Sequence, residues 1–386
     1  SLGNSTVLAN LEGPILPCAS EYNAADKAGP HLFASTLPET NNPFIFSLAN
    51  NHIMDYGVRG LEATQVQLRQ RNFSWCGAGQ NIHTARKPII IDDEGVRLGI
   101  IACCEAQFGS SRLDSPGVAE FGPWIYAAID ELSQTVDAII ISVHAAVEDS
   151  PWPSPYIREL YHSYIDAGAS VIHGHHAHVP QGYEAYKDGV IFYGMGNFAV
   201  DPNKWQSHPN ALWSLAAEVD FSVKPLYWHP LTFEIRYRAG SEIITVEEST
   251  DEEQRDHKHY LEICNRPFDN PELFAALWQE TALRAYYHHG ASYMRFLPQS
   301  KVERRMQAKM GSTLLKNAIL NKDMRVSFPN HYDYMLWYHM IACESHRQML
   351  ATALGLLGGE IKDLRTEETR ILADEMMPWS RGMVVA

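Results

Sequence analysis

Carboxylate, amide and imidazole side chains recur in this sequence at the ends of apolar runs. Glu12 closes one run in NLEGP, and Asn51 and His52 follow another in SLANNHIMDYG. His144 ends IIISVH, and His176 and His178 follow the apolar residues of SVIHGHHAH. Such runs are strand-like, and in an open α/β sheet binding sites form outside the carboxyl ends of the strands. Separate loops would therefore deliver these groups to one rim. Imidazole together with carboxylate suits zinc, manganese or iron, whereas carboxylates alone would suit magnesium or calcium. One carboxylate able to bridge, with several histidines and an asparagine, points to a pair of divalent transition metals. Such pairs sit roughly 3.5–4 Å apart, and a bound cation brings the pKa of water to about 7, so hydrolysis can run at neutral pH. A lone strand-end histidine is usually structural. Four histidines between His173 and His178, with His52 and His144 at other strand ends, favour metal binding.

The elements that must hold these residues follow from the hydrophobic pattern. The chain has 386 residues, which at about 150 residues per domain suggests two or three domains. Its 45% hydrophobic and 20% charged residues are a globular composition and exclude disorder, collagen and coiled coil. No apolar run reaches the roughly 18 residues of a spanning helix. The longest, Val136 to Val147, is interrupted by Asp137 and His144 and reads as a strand. Up to about residue 235, strand-like runs are expected at residues 7–11, 44–48, 88–91, 98–103, 138–143, 170–172 and 190–193. Amphipathic helices are expected over 60–71 and 156–167, giving a layered α/β architecture with a buried sheet. Residues 213–221 and 231–237 alternate like antiparallel strands. An acidic stretch from Glu247 to Asp256 marks a change to helical periodicity. The expected division is an α/β domain over 1–246 and a helical region over 247–386. In the latter, Leu336, Met340, Cys343, Leu350, Leu354 and Leu357 share one face of a single long helix, stopped by Gly358 and Gly359.

The net charge, 31 basic against 46 acidic residues or −15, disfavours nucleic acid as a partner. Six scattered cysteines without a CxxC pair indicate neither a disulfide framework nor a cysteine zinc site, and fit a reducing compartment. The sequence starts at Ser1 with no basic-then-apolar leader, so no signal peptide is predicted. A cytoplasmic or membrane-associated location is expected, and the lack of an initiator Met leaves room for an upstream segment.

The order of the motifs NLEGP, SLANNHIMDYG, GAGQN, HAAVEDSPWPSP, GASVIHGHHAHVPQGYE and FYGMGNF, over residues of about 7–200, resembles the CapA family. These are bacterial capsule and poly-γ-glutamate synthesis proteins with a calcineurin-like metallophosphoesterase fold. The resemblance implies a layered α/β sandwich of that type with a C-terminal helical region. It implies two divalent metals, drawn from manganese, zinc and iron. Glu12 would be the bridging carboxylate. Asn51, His144 and His176 would hold one metal, and His178 would serve the other. His52 would be the general acid or a phosphate-contacting imidazole, and Asp55 would orient it. Glu148 would orient ligands or touch substrate, and Asn197 in GNF would shape the rim. Two positions depart from the family. Nothing matches its opening strand with a GD motif, whose aspartate binds the first metal, and its HGGNE-type loop reads HAAVE.

The implied function is a metal-dependent hydrolase with phosphoesterase-like chemistry in capsule or surface-polymer biosynthesis. The partner would be an anionic polymer, a phosphoester or a γ-glutamyl substrate, with no nucleic acid and no membrane span. A metal-dependent γ-glutamyl amide hydrolase or transferase and a non-catalytic polymer-binding scaffold are the alternatives.

Other features have simpler readings. Glu105 could face substrate beside Cys103 and Cys104, which are expected to be packing residues. Pro151 to Pro155, with Trp152, could wall the site, or could simply turn into a helix capped by Ser154 and begun by Pro155. Cys343 and His346 have metal-like spacing but lack two further ligands. The basic run from Lys301 to Arg325 suits an anionic polymer, or a solvated helix face. Tyr332 to Tyr338 suit core or interface.

Overall fold

The computed structural model describes residues 5–37, 39–40, 42–205, 207–237, 244–290 and 331–382. In chain order the elements begin β1 (Val7–Asn10), β2 (Phe44–Ser47), α1 (Gly57–Gln70), β3 (Ser74–Cys76), β4 (Ala78–Gly79) and α2 (Ile82–Ala85). Next come β5 (Ile89–Asp93), β6 (Val96–Cys104), β7 (Gly117–Val118), α3 (Trp124–Ser133), β8 (Ala138–His144) and α4 (Pro155–Asp166). Then follow β9 (Val171–His175), β10 (Tyr183–Tyr186), β11 (Gly189–Phe192), β12 (Trp213–Asp220), β13 (Tyr227–Tyr237) and β14 (Ile244–Glu248). Helices α5 (Asp251–Asn265) and α6 (Pro271–Ala285) follow, and three more cover His331–Ala342, Glu344–Gly358 and Glu367–Met376.

The main sheet has the order β10-β11-β9-β8-β6-β5. Its centre is parallel, with β6, β8, β9 and β11 side by side, and an antiparallel strand closes each edge. Side chains alternate across it. Ile101, Cys103, Ile139, Ile141 and Val143 face Ile125, Ile129 and Leu132 of α3 and Ile157, Tyr161 and Tyr164 of α4. Leu98, Ile100, Ala102, Ala138 and Ile140 pack with Phe44, Phe46, Leu61 and Leu68 of the parallel sheet β1-β2-β3 and α1. Both faces are therefore covered, which is why the first four residues of β8, Ala138 to Ile141, are all apolar rather than alternating. The result is the layered α/β sandwich expected from the sequence, with a helical C-terminal region.

The antiparallel pair expected over 213–221 and 231–237 forms, and β14 joins it to make a separate three-stranded sheet. Its Trp213 and Leu215 enter the same core as the two main sheets. Thr250 caps α5 through a capping box with Glu253, and Asn270 caps α6 ahead of Pro271. Tyr260, Leu261 and Cys264 of α5 and Leu277 of α6 also join that core.

The single long helix expected over Leu336 to Leu357 is corrected by the structure. It is broken at Cys343, whose ψ of 124° is extended, and the chain restarts at Glu344. The reason is tertiary: Ser345 N–H donates to Glu105 Oε2 at 2.8 Å, and Glu344 Oε2 accepts Ala106 N–H at 2.9 Å. Continuing the helix would forfeit both bonds. Gly359, at φ 74°, ends the second segment in a left-handed cap. Among the described residues no helix is long and apolar enough to cross a membrane. The basic run from Lys301 to Arg325 lies outside the described residues.

The Pro151–Pro155 loop is a core piece. Ser154 Oγ accepts from Ile157 N–H at 3.1 Å, Pro155 starts α4, and Trp152 is fully buried in the core between the sheets. Trp152→Ala should therefore cost about 3–5 kcal/mol. Urea unfolding of the two proteins checks this, and a loss under about 1 kcal/mol would mean the ring is not a core element.

Candidate metal centre

The register of the main sheet brings the first ligand candidates together. β8 and β9 run parallel with Ser142 opposite His173 and His144 opposite His175. Gly174 between the two histidines allows the backbone of Phe192 and Tyr193 to approach, since a Cβ there would sit 2.2 Å from the Tyr193 carbonyl oxygen. His144 is fully buried on the face toward the smaller sheet. Its Nε2 lies 2.8 Å from Asn51 Oδ1 and 3.7 Å from Glu12 Oε1, and its Nδ1 lies 2.6 Å from His175 Nδ1.

The smaller sheet delivers the facing groups. Asn50 ties the exits of β1 and β2: its Nδ2 donates to Asn10 Oδ1 and to Leu11 O, and its Oδ1 accepts from His52 N–H and Ile53 N–H. Asn10 in turn donates to Glu12 Oε2 at 3.2 Å. Glu12 Oε1 is buried without a hydrogen-bond partner. The turn after β9 holds His176 at φ 99° and His178 at φ 61°. Left-handed backbone is unfavourable for residues with a Cβ and clusters at functional sites. This turn sets the His144 and His176 ring centroids 4.3 Å apart and brings His178 Nε2 within 3.9 Å of Glu12 Oε1. Asn197 Oδ1 holds His178 Nδ1 at 2.9 Å.

Two groups of donor atoms result, each within 4.8 Å of one another: Glu12, His144 and His176, and Glu148, His176 and His178. The carboxylates are Glu12 and Glu148, and neither group contains an aspartate. Burial, then the neighbouring imidazoles, hold His144 well below the ordinary histidine range. Burial takes His176 down to about 3. Burial also opposes charge on His178, but Glu12, Glu148 and the Asn197 bond outweigh it and raise that group. Neutral imidazoles are the ligand form of histidine. Two of the polar atoms that converge here, Glu12 Oε1 and His176 Nδ1, are buried without partners among the described residues, a costly arrangement unless something binds. This donor set fits a divalent transition cation.

Beside the two groups, His52 Nδ1 lies 2.8 Å from Asp55 Oδ2. Asp55 is fully buried, accepts Leu32 N–H at 2.6 Å and forms an ion pair with Lys27. Lys27 Nζ is also 3.1 Å from His52 Nδ1. The structure thus brings Glu12, Asn51, His144, His176, His178 and Glu148 together, with His52 and Asp55 alongside.

Sequence reasoning gave no individual role to Lys27, Asn50, His175 or Gln107. Asn50 had a signal in the doubled asparagine of LANNH. Lys27 had none, because it sits in an aperiodic loop tied to the site by Ala25 N–H bonding Asp55 O. Glu105 is fully buried beside the site, and burial pushes its carboxyl up to about 7 despite the Ser345 bond. Gln107 Nε2 bridges Glu105 Oε1 and His176 Nε2 at 3.3 and 3.0 Å. Cys343 and His346 join no metal-capable group among the described residues.

Comparison with known proteins adds an independent line. A family described as bacterial capsule synthesis protein PGA_cap matches residues 3–202. The capsule biosynthesis protein CapA of Bacillus anthracis is 30% identical over 220 residues, covering 53% of this chain and 53% of its own. The PGA biosynthesis protein CapA of Bacillus subtilis is 31% identical over 216 residues, covering 53% of this chain and 56% of its own. The chain therefore spans about half the length of the curated relatives it matches. Among solved structures, the NAD nucleotidase of Haemophilus influenzae is 13% identical with a TM-score of 0.30, over 54% of this chain and 35% of its own. That likeness is too slight to carry an inference.

The buried imidazoles set a pH dependence for the metal-free protein. His144 and His175 sit well below the ordinary value, His173 near 4, His176 near 3 and His339 near 4, burial being the main cause in each. Between about 6.5 and those values the unfolded chain binds more protons than the folded one, so stability falls as pH falls. Glu105 and Asp149, raised by burial to about 7 and about 6, and His178, raised by its carboxylate neighbours, act in the opposite sense. With His288 lowered and Glu280 raised, each chiefly by burial, six groups stand against four and give a net loss. The urea midpoint should drop from pH 7 to pH 4.5, and an unchanged or higher midpoint would show that the imidazoles charge in place.

Proposed function

The chain belongs to the bacterial capsule synthesis protein family PGA_cap, and from that premise we propose that it is a metal-dependent hydrolase with phosphoesterase-like chemistry. Its substrate would be an anionic surface polymer or a phosphoester precursor of one. The observation that carries this reading is the pair of donor groups sharing His176, with the orphaned Glu12 oxygen between His144 and His178. Glu12, His144 and His176 would hold one cation, with the Asn51 amide oxygen beside them. Glu148 and His178 would hold a second cation, and His176, whose neutral ring has a single lone-pair nitrogen, would serve one site or the other.

When bound, such cations supply an activated water near neutral pH and offset charge on phosphoryl oxygens. The chain's own residues do the rest. Asp55 engages His52 Nδ1, which leaves Nε2 as the nitrogen able to exchange a proton with the leaving oxygen. Lys27 keeps Asp55 paired and so fixes the carboxylate that holds His52 Nδ1. Asn197 fixes the ring of His178, and the Asn50 bonds hold the backbone that presents Asn51 and His52.

A second reading keeps the same residues and changes the bond to a γ-glutamyl amide. What favours it is the similarity to the PGA biosynthesis protein CapA of Bacillus subtilis. The expected division at 246/247 would cut β14, so the proposed boundary moves to the junction ahead of α5, with the α/β part carrying the chemistry and the helical part closing over it.

Metal content after dialysis, read by plasma mass spectrometry, tests the proposal. About two transition-metal ions per chain are expected. His176→Ala should lose metal. His52→Ala should keep it while turnover of an aryl phosphate falls by about 10²–10⁴. Equal metal loss in both variants would reject this division of roles, and a metal-free wild type would sink the hydrolase. Cleavage of a γ-glutamyl anilide in place of the aryl phosphate would move the assignment to the amide.

A further inference from the structure

The helix His331–Ala342 lies across the site. At its start His331 Nε2 is 3.0 Å from Asp26 Oδ2, next to Lys27. Near its end the ring of His339 stacks on Phe108 with centroids 5.0 Å apart and planes at 15°. Phe108 follows Gln107, which touches His176. The break at Cys343 then turns the chain so that the next helix docks on Glu105. The helix thus bridges two rim loops, those around residues 26 and 108.

Ring contacts hold the His339 side chain. Phe108 covers one face and His346 meets it edge-on at 4.7 Å. Its Nδ1 is buried and has no hydrogen-bond partner among the described residues. The ring lies within electrostatic reach of Glu148, Lys27 and His52, and of His176. A purely structural histidine would be expected to bond through its buried nitrogen, because an unpaired buried polar atom is costly. Here the ring lies near a cluster whose carboxylates would be engaged by cations, which leaves Lys27 and His52 as hydrogen-bond donors to anions.

We infer that His339 is a substrate-binding residue of this site, and that with Lys27 and His52 it forms a subsite for an anionic oxygen group, phosphate or carboxylate. The inference rests on the metal-site reading above. It gives the helical region a direct part in recognition, since the family match ends at residue 202.

The test is calorimetric titration of inorganic phosphate into the full chain supplied with Mn²⁺. His339→Phe keeps the stack on Phe108 and removes the nitrogen. It should bind Mn²⁺ and melt as the wild type does, while binding phosphate about tenfold more weakly. Tyr338→Ala, an exposed position on the same helix, should change nothing. His339→Ala is the second variant should the phenylalanine fail to fold. Unchanged phosphate affinity in the folded variant overturns the inference and leaves the metal reading intact, as does a wild type that takes up Mn²⁺ but not phosphate. A wild type that takes up no Mn²⁺ defeats the metal reading. Titration without metal then decides His339 separately: weaker binding in the variant supports it, and equal or absent binding overturns it. Repeating the titration with glutarate separates a carboxylate subsite from a phosphate one.

Discussion

The pairing of β8 with β9 is the constraint from which the rest of the site follows. Because the strands are parallel and in register, Ser142 meets His173 and His144 meets His175 on the face between the sheets. Four polar residues are thereby forced into the layer that elsewhere holds Ile100, Ile140 and Phe46. Burial keeps the imidazoles neutral, so they offer lone pairs instead of charge. The main-chain ladder continues past the strand ends, with Glu105 N–H on His144 O and Ala145 N–H on His175 O. The loops that follow are therefore held at fixed height above the sheet, where His176, His178 and Glu148 can converge with Glu12.

Glu105 joins the two regions of the chain. Its Oε2 caps the helix that starts at Glu344, and its Oε1 lies 3.7 Å from His176 Nε2. A buried carboxyl between a helix N-terminus and an imidazole responds to both. The same residue that stops the C-terminal helix from running straight thus fixes where its preceding segment lies. Asp55 plays the matching part on the other side, gathering Lys27, Leu32 N–H and His52 around one carboxylate.

Much of this was legible in the amino-acid order. The strands that carry Glu12, His144 and His176 announce themselves by continuous apolar runs, and the histidines stand at their ends. The parallel core and its helices follow from the alternation of such runs with 3.6-residue patterns, as in α4. What escaped was decided by contacts distant in sequence. The apolar face from Leu336 to Leu357 continues through Cys343 unbroken, and only Glu105, more than two hundred residues earlier, interrupts it. Lys27 belongs to no periodic segment, and His339 resembles any other position on an amphipathic helix. β14 is short and half polar, so only its pairing with β13 defines it.

The left-handed backbone at His176 and His178 has an evolutionary corollary. At both positions glycine would relax the chain, since it alone adopts that conformation without steric penalty. The fold and the site therefore favour different residues at the same places. A lineage released from the need for the site would drift toward glycine or asparagine there, growing more stable as it did so. Retention of both imidazoles in a descendant would then mark continuing selection on chemistry, independent of any selection on folding.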